Sequence, residues 1–224
     1  MAFFSKKESF IGLDIGTSSI KVVELVRDGK EGVRLSTYAS AKSSLLLSKG
    51  GDSESVAKVA TIAHEMLRRS GTSASLTVAA LPSLSVFSTV ISLPEMNERD
   101  LEKAVVLAAK NYVPTPLKDV VLGWTVMKES PVSPNTNNTN KPEGVVEGGP
   151  KDKKDDDGKA RRQLARKNVE IFLTAASKDL VQNYSSVIER LNLNLVALEI
   201  ESFPLSRSLL GSSKEPALLV DIGD

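Results

Sequence analysis

The sequence predicts an α/β protein built on a mixed sheet, and three observations carry that prediction. Three β-branched runs open the chain with only short turns between them, which is how antiparallel strands are joined. Later in the chain, strands alternate with amphipathic helical stretches, the pattern of crossover units. Between these lies an insertion of βαβ type. At 224 residues, 41% hydrophobic and 25% charged, the composition is that of an ordinary globular protein, long enough for one large or two small domains.

In order, the first strand is expected at residues 10–14 (FIGLD), the second at 20–27 (IKVVELVR) and the third at 33–39, with Asp28-Gly29 as a hairpin-type turn signal between the last two. Asp52 or Ser53 then caps a helix whose apolar residues Val56, Val59, Ala60, Ala63, Met66 and Leu67 recur at helical spacing, and Gly71 ends it. Strands at 76–81 (LTVAAL) and 86–93 (VFSTVISL) meet at a Pro-Ser turn. Asn97, with Asp100 three residues on, opens a second helix in a capping-box-like start. Its expected buried face is Leu101, Ala104, Val105, Ala108 and Tyr112, and Pro114 and Pro116 stop it. A strand at 120–127 follows. Further on come a strand at 169–175, a helix at 178–191 with Leu180, Tyr184, Val187, Ile188 and Leu191 inward, a strand at 195–200, a helix at 202–210 and a strand at 217–222.

One segment differs from its surroundings. Residues 128–163 contain only Val132, Val145, Val146 and Ala160 as apolar residues, and four of the ten prolines. Such a stretch buries too little surface to offset its ordering entropy, so a disordered polar loop is expected there. Its basic run reads as a solvated loop, with a membrane-binding or RNA-binding patch as the alternative.

Composition excludes several kinds of chemistry. With 29 Lys plus Arg against 28 Asp plus Glu, the net charge of +1 argues against a nucleic-acid partner, whose binding relies on clustered basic charge. The absence of cysteine excludes disulfides, thiol catalysis and thiolate zinc sites. His64 is the one histidine, too few for a His-based metal site. It lies one position off the apolar stripe, where a helix-surface histidine is the plain reading. No apolar run is long enough to span a bilayer, and residues 1–7 are too short for a secretory signal, so a cytosolic protein is expected.

Chemistry is most expected in the tight turn between the first two strands, Asp14-Ile15-Gly16-Thr17-Ser18-Ser19. Gly16 permits close backbone approach, while Thr17, Ser18 and Ser19 add hydroxyls beside main-chain N–H groups, which suits a polyphosphate. Asp14 could hold Mg²⁺ through water, and Lys21 could reach a phosphate or fix Asp14. The same turn is also compatible with a routine hairpin. Near the C-terminus, residues 218–223 (LLVDIG) repeat the strand, Asp, apolar residue, Gly arrangement. Two such turns facing one another would clamp a phosphate chain and its metal between Asp14 and Asp221.

These paired turns resemble the phosphate-1 and phosphate-2 loops of the actin, Hsp70 and sugar-kinase ATPase superfamily. More closely, residues 12–25 (GLDIGTSSIKVVEL) resemble the opening of the PilM family of type IV pilus assembly proteins, within the FtsA/PilM group. The resemblance continues through 80–82 (ALP), 91–96 (ISLPEM), 111–116 (NYVPTP), 172–176 (FLTAA) and 196–203 (VALEIESF), and covers nearly all of the chain outside 128–163.

The resemblance implies an actin-like, ribonuclease H-like mixed sheet flanked by helices. Subdomain 1A would comprise 8–75 and 177–211, a small α+β subdomain 1C would be inserted at 76–176, and 212–224 would begin the second half of the fold. That half, with its adenosine pocket, is missing from this sequence, so the chain alone is expected to bind nucleotide weakly. ATP and Mg²⁺ are the implied cofactors. Asp14 and Asp221 would face the metal, and Gly16, Thr17, Ser18, Ser19, Lys21 and Gly223 the phosphates. Glu201 would orient the attacking water, with an exposed first-turn acid stabilised by the helix dipole as the alternative. The implied function is a cytoplasmic, nucleotide-dependent scaffold, at most a weak ATPase. It would dock the N-terminal tail of a PilN-like inner-membrane protein in a 1A/1C groove and meet other pilus assembly proteins. An FtsA-like cell-division adaptor and a small-molecule kinase are the alternatives.

Overall fold

The computed structural model describes residues 8–29, 32–45, 47, 53–127, 168–211, 213 and 215–221. The polar segment 128–163 and Gly223 lie outside the described residues. The elements in chain order are β1 (Ser9–Ile15), β2 (Ser19–Asp28), β3 (Gly32–Lys42), α1 (Ser53–Ser70), β4 (Leu76–Leu81), β5 (Val86–Pro94), α2 (Glu98–Tyr112), β6 (Val120–Val126), β7 (Asn168–Ser177), α3 (Lys178–Arg190), β8 (Asn194–Ile200) and α4 (Ser202–Leu210).

Among the described residues, eight strands form two sheets. The larger has the order β3-β2-β1-β4-β8 and the smaller β5-β7-β6. The β1-β2 and β2-β3 pairs are antiparallel, as their short turns require, while β4 runs parallel to both β1 and β8. The smaller sheet is antiparallel throughout. This is the mixed-sheet α/β architecture with a small α+β insertion expected from the sequence. Strand β4, grouped by the resemblance with the insertion, hydrogen-bonds within the larger sheet, and the chain crosses to the smaller one at Pro82.

Alternation places Ile11, Leu13 and Ile15 of β1 and Ile20 and Val22 of β2 on one face, where α1 and α3 cover them. From α1 come Val56, Val59, Ala60, Ala63 and Met66, and from α3 Leu180, Tyr184, Val187 and Ile188, with Leu191 just beyond it. Gly71 ends α1 at φ +68°, donating to Arg68 O while Thr72 donates to Leu67 O. This pair of bonds satisfies the last carbonyls, and the left-handed conformation favours glycine. Glu24, 2% exposed, points into the same core. Its carboxylate accepts from Ser73 N at 2.8 Å and Ser73 Oγ at 3.1 Å, tying the loop after α1 to β2.

The second core lies between α2 and the smaller sheet, with Leu101, Val105 and Ala109 over Ile91, Ile171, Leu173 and Ala175. Asn97 Oδ1 accepts from Asp100 N at 3.0 Å, confirming the expected cap. Two expectations need correction. Tyr112 is exposed, and Ala109 and Val113 are buried in its place. Residues 104–109 are apolar without a break, so the phase of the buried stripe is set by the sheet beneath and not by the pattern. The strand expected at 217–222 is not formed over 217–221.

Candidate functional site

Strands β1, β4 and β8 run parallel, so their carboxyl ends share one edge of the sheet. Ligands of open α/β sheets bind at such ends. The residues singled out in the first turn gather there. Asp14 is the register partner of Lys21 across the β1-β2 pair, and Lys21 Nζ lies 3.3 Å from Asp14 Oδ2. Both side chains are substantially exposed, on the face opposite α1 and α3. Lys21 therefore fixes Asp14 in this structure.

Gly16 N donates to Ser19 O at 2.9 Å, and Ser43 N donates to Ser18 O at 2.9 Å. A Cβ on Gly16 would lie 3.1 Å from the Ser19 carbonyl oxygen. The close approach that requires a small residue here is thus made within the hairpin itself. Thr17 is exposed at the tip, and Ser18 and Ser19 are half-buried. One carboxylate, one ammonium and three hydroxyls suit a phosphate with a hydrated divalent cation, since Mg²⁺ keeps much of its water and takes one or two carboxylates. Among the described residues, no group of three or more His, Asp or Glu could form a protein cage for a metal.

Two further elements reach the same edge. Glu201 follows β8, two strands from Asp14, where the parallel ladder ends in the pair Leu81↔Ile200. Its N–H donates to Leu81 O at 3.0 Å, and its Oε1 accepts from Ser83 N at 2.8 Å. Tyr184 projects from α3, is almost wholly buried, and donates its hydroxyl to Ile15 O at 3.3 Å. Burial, and then the Asp14 and Glu201 carboxylates, push the phenol well above its ordinary value, so it stays a donor. Sequence reasoning placed Tyr184 in the core as an apolar residue and missed its hydroxyl. Asp221 stands exposed in the unpaired segment near the C-terminus. Among the described residues no hydrogen bond or ion pair joins it to Asp14.

A groove of about 540 Å³ separates the two sheets. In the smaller sheet, Val121↔Ala176, Gly123↔Thr174 and Thr125↔Phe172 are register pairs facing away from α2, and they form its floor. The opposite wall comes from Leu81, Leu198, Ile200 and Phe203, with Arg207 and Glu199 ion-paired at its rim. Phe172 and Phe203 meet edge to face, ring centroids 5.2 Å apart, a favoured aromatic geometry. Among the described residues, strand β6 is a sheet edge along this groove, with no strand paired on its other side. The lining is mainly apolar and comes from strands and a helix far apart in the sequence.

No curated protein matches the chain. Among solved structures, the fold overlays on a chain of the PilM-PilN type IV pilus biogenesis complex with TM-score 0.65 and 22% identity. That overlay covers 89% of this chain and 51% of the other, so this chain spans about half its length. Much looser overlaps include the cytoplasmic domain of EpsL, an inner membrane component of the type II secretion system of Vibrio cholerae, at TM-score 0.42, 9% identity and 86% and 57% coverage. A Bacteroides thetaiotaomicron protein with an actin-like ATPase fold overlays at TM-score 0.39, 13% identity and 93% and 58% coverage. Neither is close enough to bear on function. The family model for the type IV pilus assembly protein PilM matches residues 12–140, more than half of the sequence. That match takes in the Asp14 turn, the crossing between the sheets and strand β6. The chain belongs to the type IV pilus assembly protein PilM family.

Proposed function

We propose that this chain is the N-terminal portion of a cytoplasmic, actin-like scaffold of type IV pilus assembly. In this reading it holds the N-terminal peptide of a PilN-like inner-membrane protein in the groove between its two sheets. The observation that carries the reading is the groove itself, with a mainly apolar lining beside β6, an edge strand among the described residues. An extended peptide loses conformational freedom on binding, so apolar anchors in pockets must supply most of its affinity, while a strand edge fixes direction through main-chain bonds. The larger sheet with its helices corresponds to subdomain 1A and the smaller, with α2, to 1C. The groove walls come mostly from β6, β7, β8 and α4, with Leu81 and Val86 from the neighbouring strands.

The Asp14 turn is proposed as one half of a Mg-ATP site. Asp14 would hold the hydrated cation, and Lys21 with the hydroxyls of Thr17, Ser18 and Ser19 would meet phosphate oxygens. A bound Mg²⁺ would supply charge neutralisation to the phosphates. Asp221 and Gly223 belong to the opposing turn in this proposal, and Glu201 to the water side. Nucleotide here is proposed to set shape, with hydrolysis weak at most. The protein would reach the inner face of the membrane through its partners, with no insertion of its own. No described helix is long and apolar enough to cross a membrane.

Calorimetric titration with a synthetic Asn- and Leu-rich peptide from the N-terminus of a PilN-type protein tests the reading. Micromolar binding, about 8 kcal/mol, with a negative heat-capacity change is expected. A folded sample that takes up no peptide overturns the scaffold reading.

A further inference from the structure

We infer that Glu201 is a positioning residue for the groove, its carboxylate latching the point where the chain crosses between the two sheets. The inference rests on the reading of the groove as a peptide site and adds what holds its walls apart.

Among the described residues, the chain passes between the sheets at two points. At Ser177, β7 runs directly into α3, and Ser177 Oγ accepts from Leu180 N at 3.2 Å, so this crossing is a capped, continuous strand-to-helix junction. The other crossing, from β4 to β5, is a single 3₁₀ turn over Ser83–Ser85. That turn buries none of its residues, and Leu84 is fully exposed. Its first residue follows Pro82, whose side chain has no acceptor with which to cap it. The acceptor comes from the end of the neighbouring strand β8: Glu201 Oε1 takes the Ser83 N–H at 2.8 Å.

Glu201 is suited to this because its own backbone belongs to the larger sheet. Its N–H extends the β4-β8 ladder onto Leu81 O, and its carbonyl accepts from Leu205 N in α4. The carboxylate therefore ties the start of the smaller sheet to a rigid point in the larger. Its neighbours Ile200 and Phe203 line the groove, and so do Leu81 and Val86 on either side of the turn. A change in the Glu201–Ser83 bond thus moves one wall against the other. Phe172 and Phe203 also meet across the groove, and Val86 and Ala176 pack into the core of the larger sheet.

Two readouts test this on the full chain: hydrogen exchange without ligand, and titration with the PilN-type peptide. Glu201→Ala should speed amide exchange about tenfold over residues 83–87, leaving α1 and α2 unchanged, and weaken the peptide about tenfold, the scale of one hydrogen bond. Glu201→Gln keeps an acceptor oxygen and should restore both readouts. Ser83→Pro removes the donor from the other end and should reproduce the alanine phenotype, with the double variant no worse than either single one. Unchanged exchange over 83–87 in Glu201→Ala overturns the latch. So does a glutamine variant that behaves like alanine, or additive effects in the double variant. Failure of the parent chain to bind the peptide overturns the scaffold reading instead, and the exchange measurement still decides the latch.

Discussion

Replacing Tyr184 by phenylalanine tests how the sheet edge beside Asp14 is held. The substitution removes one buried hydroxyl and its bond to Ile15 O, leaving the ring packing intact. At 3.3 Å that bond is long for a hydroxyl donor, so the loss belongs in the lower part of the usual range, about 0.5–1 kcal/mol at pH 8. The pH dependence carries the sharper signature. Burial and the Asp14 and Glu201 carboxylates hold the folded phenol well above its ordinary value, while the unfolded chain releases that proton near pH 10. Above pH 10 the folded state therefore binds more protons than the unfolded one, and stability falls as pH rises. By pH 11 the loss from this group is about 1.4 kcal/mol, a share the phenylalanine variant does not suffer. The variant should be the weaker protein at pH 8 and match or exceed the parent at pH 11. Urea unfolding followed by the fluorescence of the single Trp124 measures both, provided the m-value is unchanged. An equal gap at the two pH values, or a Tyr184 phenol that ionises near pH 10 in the folded protein, would sink the argument.

Other substitutions probe separate parts of the fold and site. Glu24→Ala strips the acceptor from Ser73 N and Oγ and leaves a void in the core, at a cost of about 2–4 kcal/mol. Glu24→Gln should cost far less, because an amide satisfies both partners, and matching urea midpoints for the two variants would refute this. At Gly123, a new Cβ would meet Thr174 Oγ1 at 2.8 Å, and that hydroxyl now donates to Gly123 O. Gly123→Ala should therefore turn the threonine away and lower stability by about 1 kcal/mol, read from the thermal midpoint. No shift at all would mean that the bond contributes nothing. In the longer protein, Asp14→Ala and Lys21→Ala should each weaken Mg-ATP by about ten- to a hundredfold in a fluorescence titration, as loss of a charged contact predicts. Unchanged affinity removes the turn from the nucleotide site.

The elements legible in the sequence are those whose causes are local. Asn97 caps α2 through a residue three positions away, and Gly71 ends α1 through its own left-handed φ. The apolar spacing of α3 has a single phase, and all five of its expected inward residues are buried. In α2 the unbroken apolar run left the phase open, and the sheet chose it. The Asp14 turn was legible because all its members lie within eight positions of one another.

By itself, then, the sequence determined most of the strands and helices, the Asn97 cap and the Asp14 turn, while the choice of Lys21 for Asp14 was made by the β1-β2 register. What it left to tertiary structure depends on residues distant along the chain. The Glu201–Ser83 bond joins positions 118 apart, and the Tyr184 hydroxyl meets Ile15 across 169. The groove needs β6, β7, β8 and α4 brought together. Sheet order and register decide these meetings, and the alternation of apolar and polar residues that reveals a strand does not name its neighbour. A turn carries its contacts in its own few residues, whereas a groove exists only once two sheets have been set side by side.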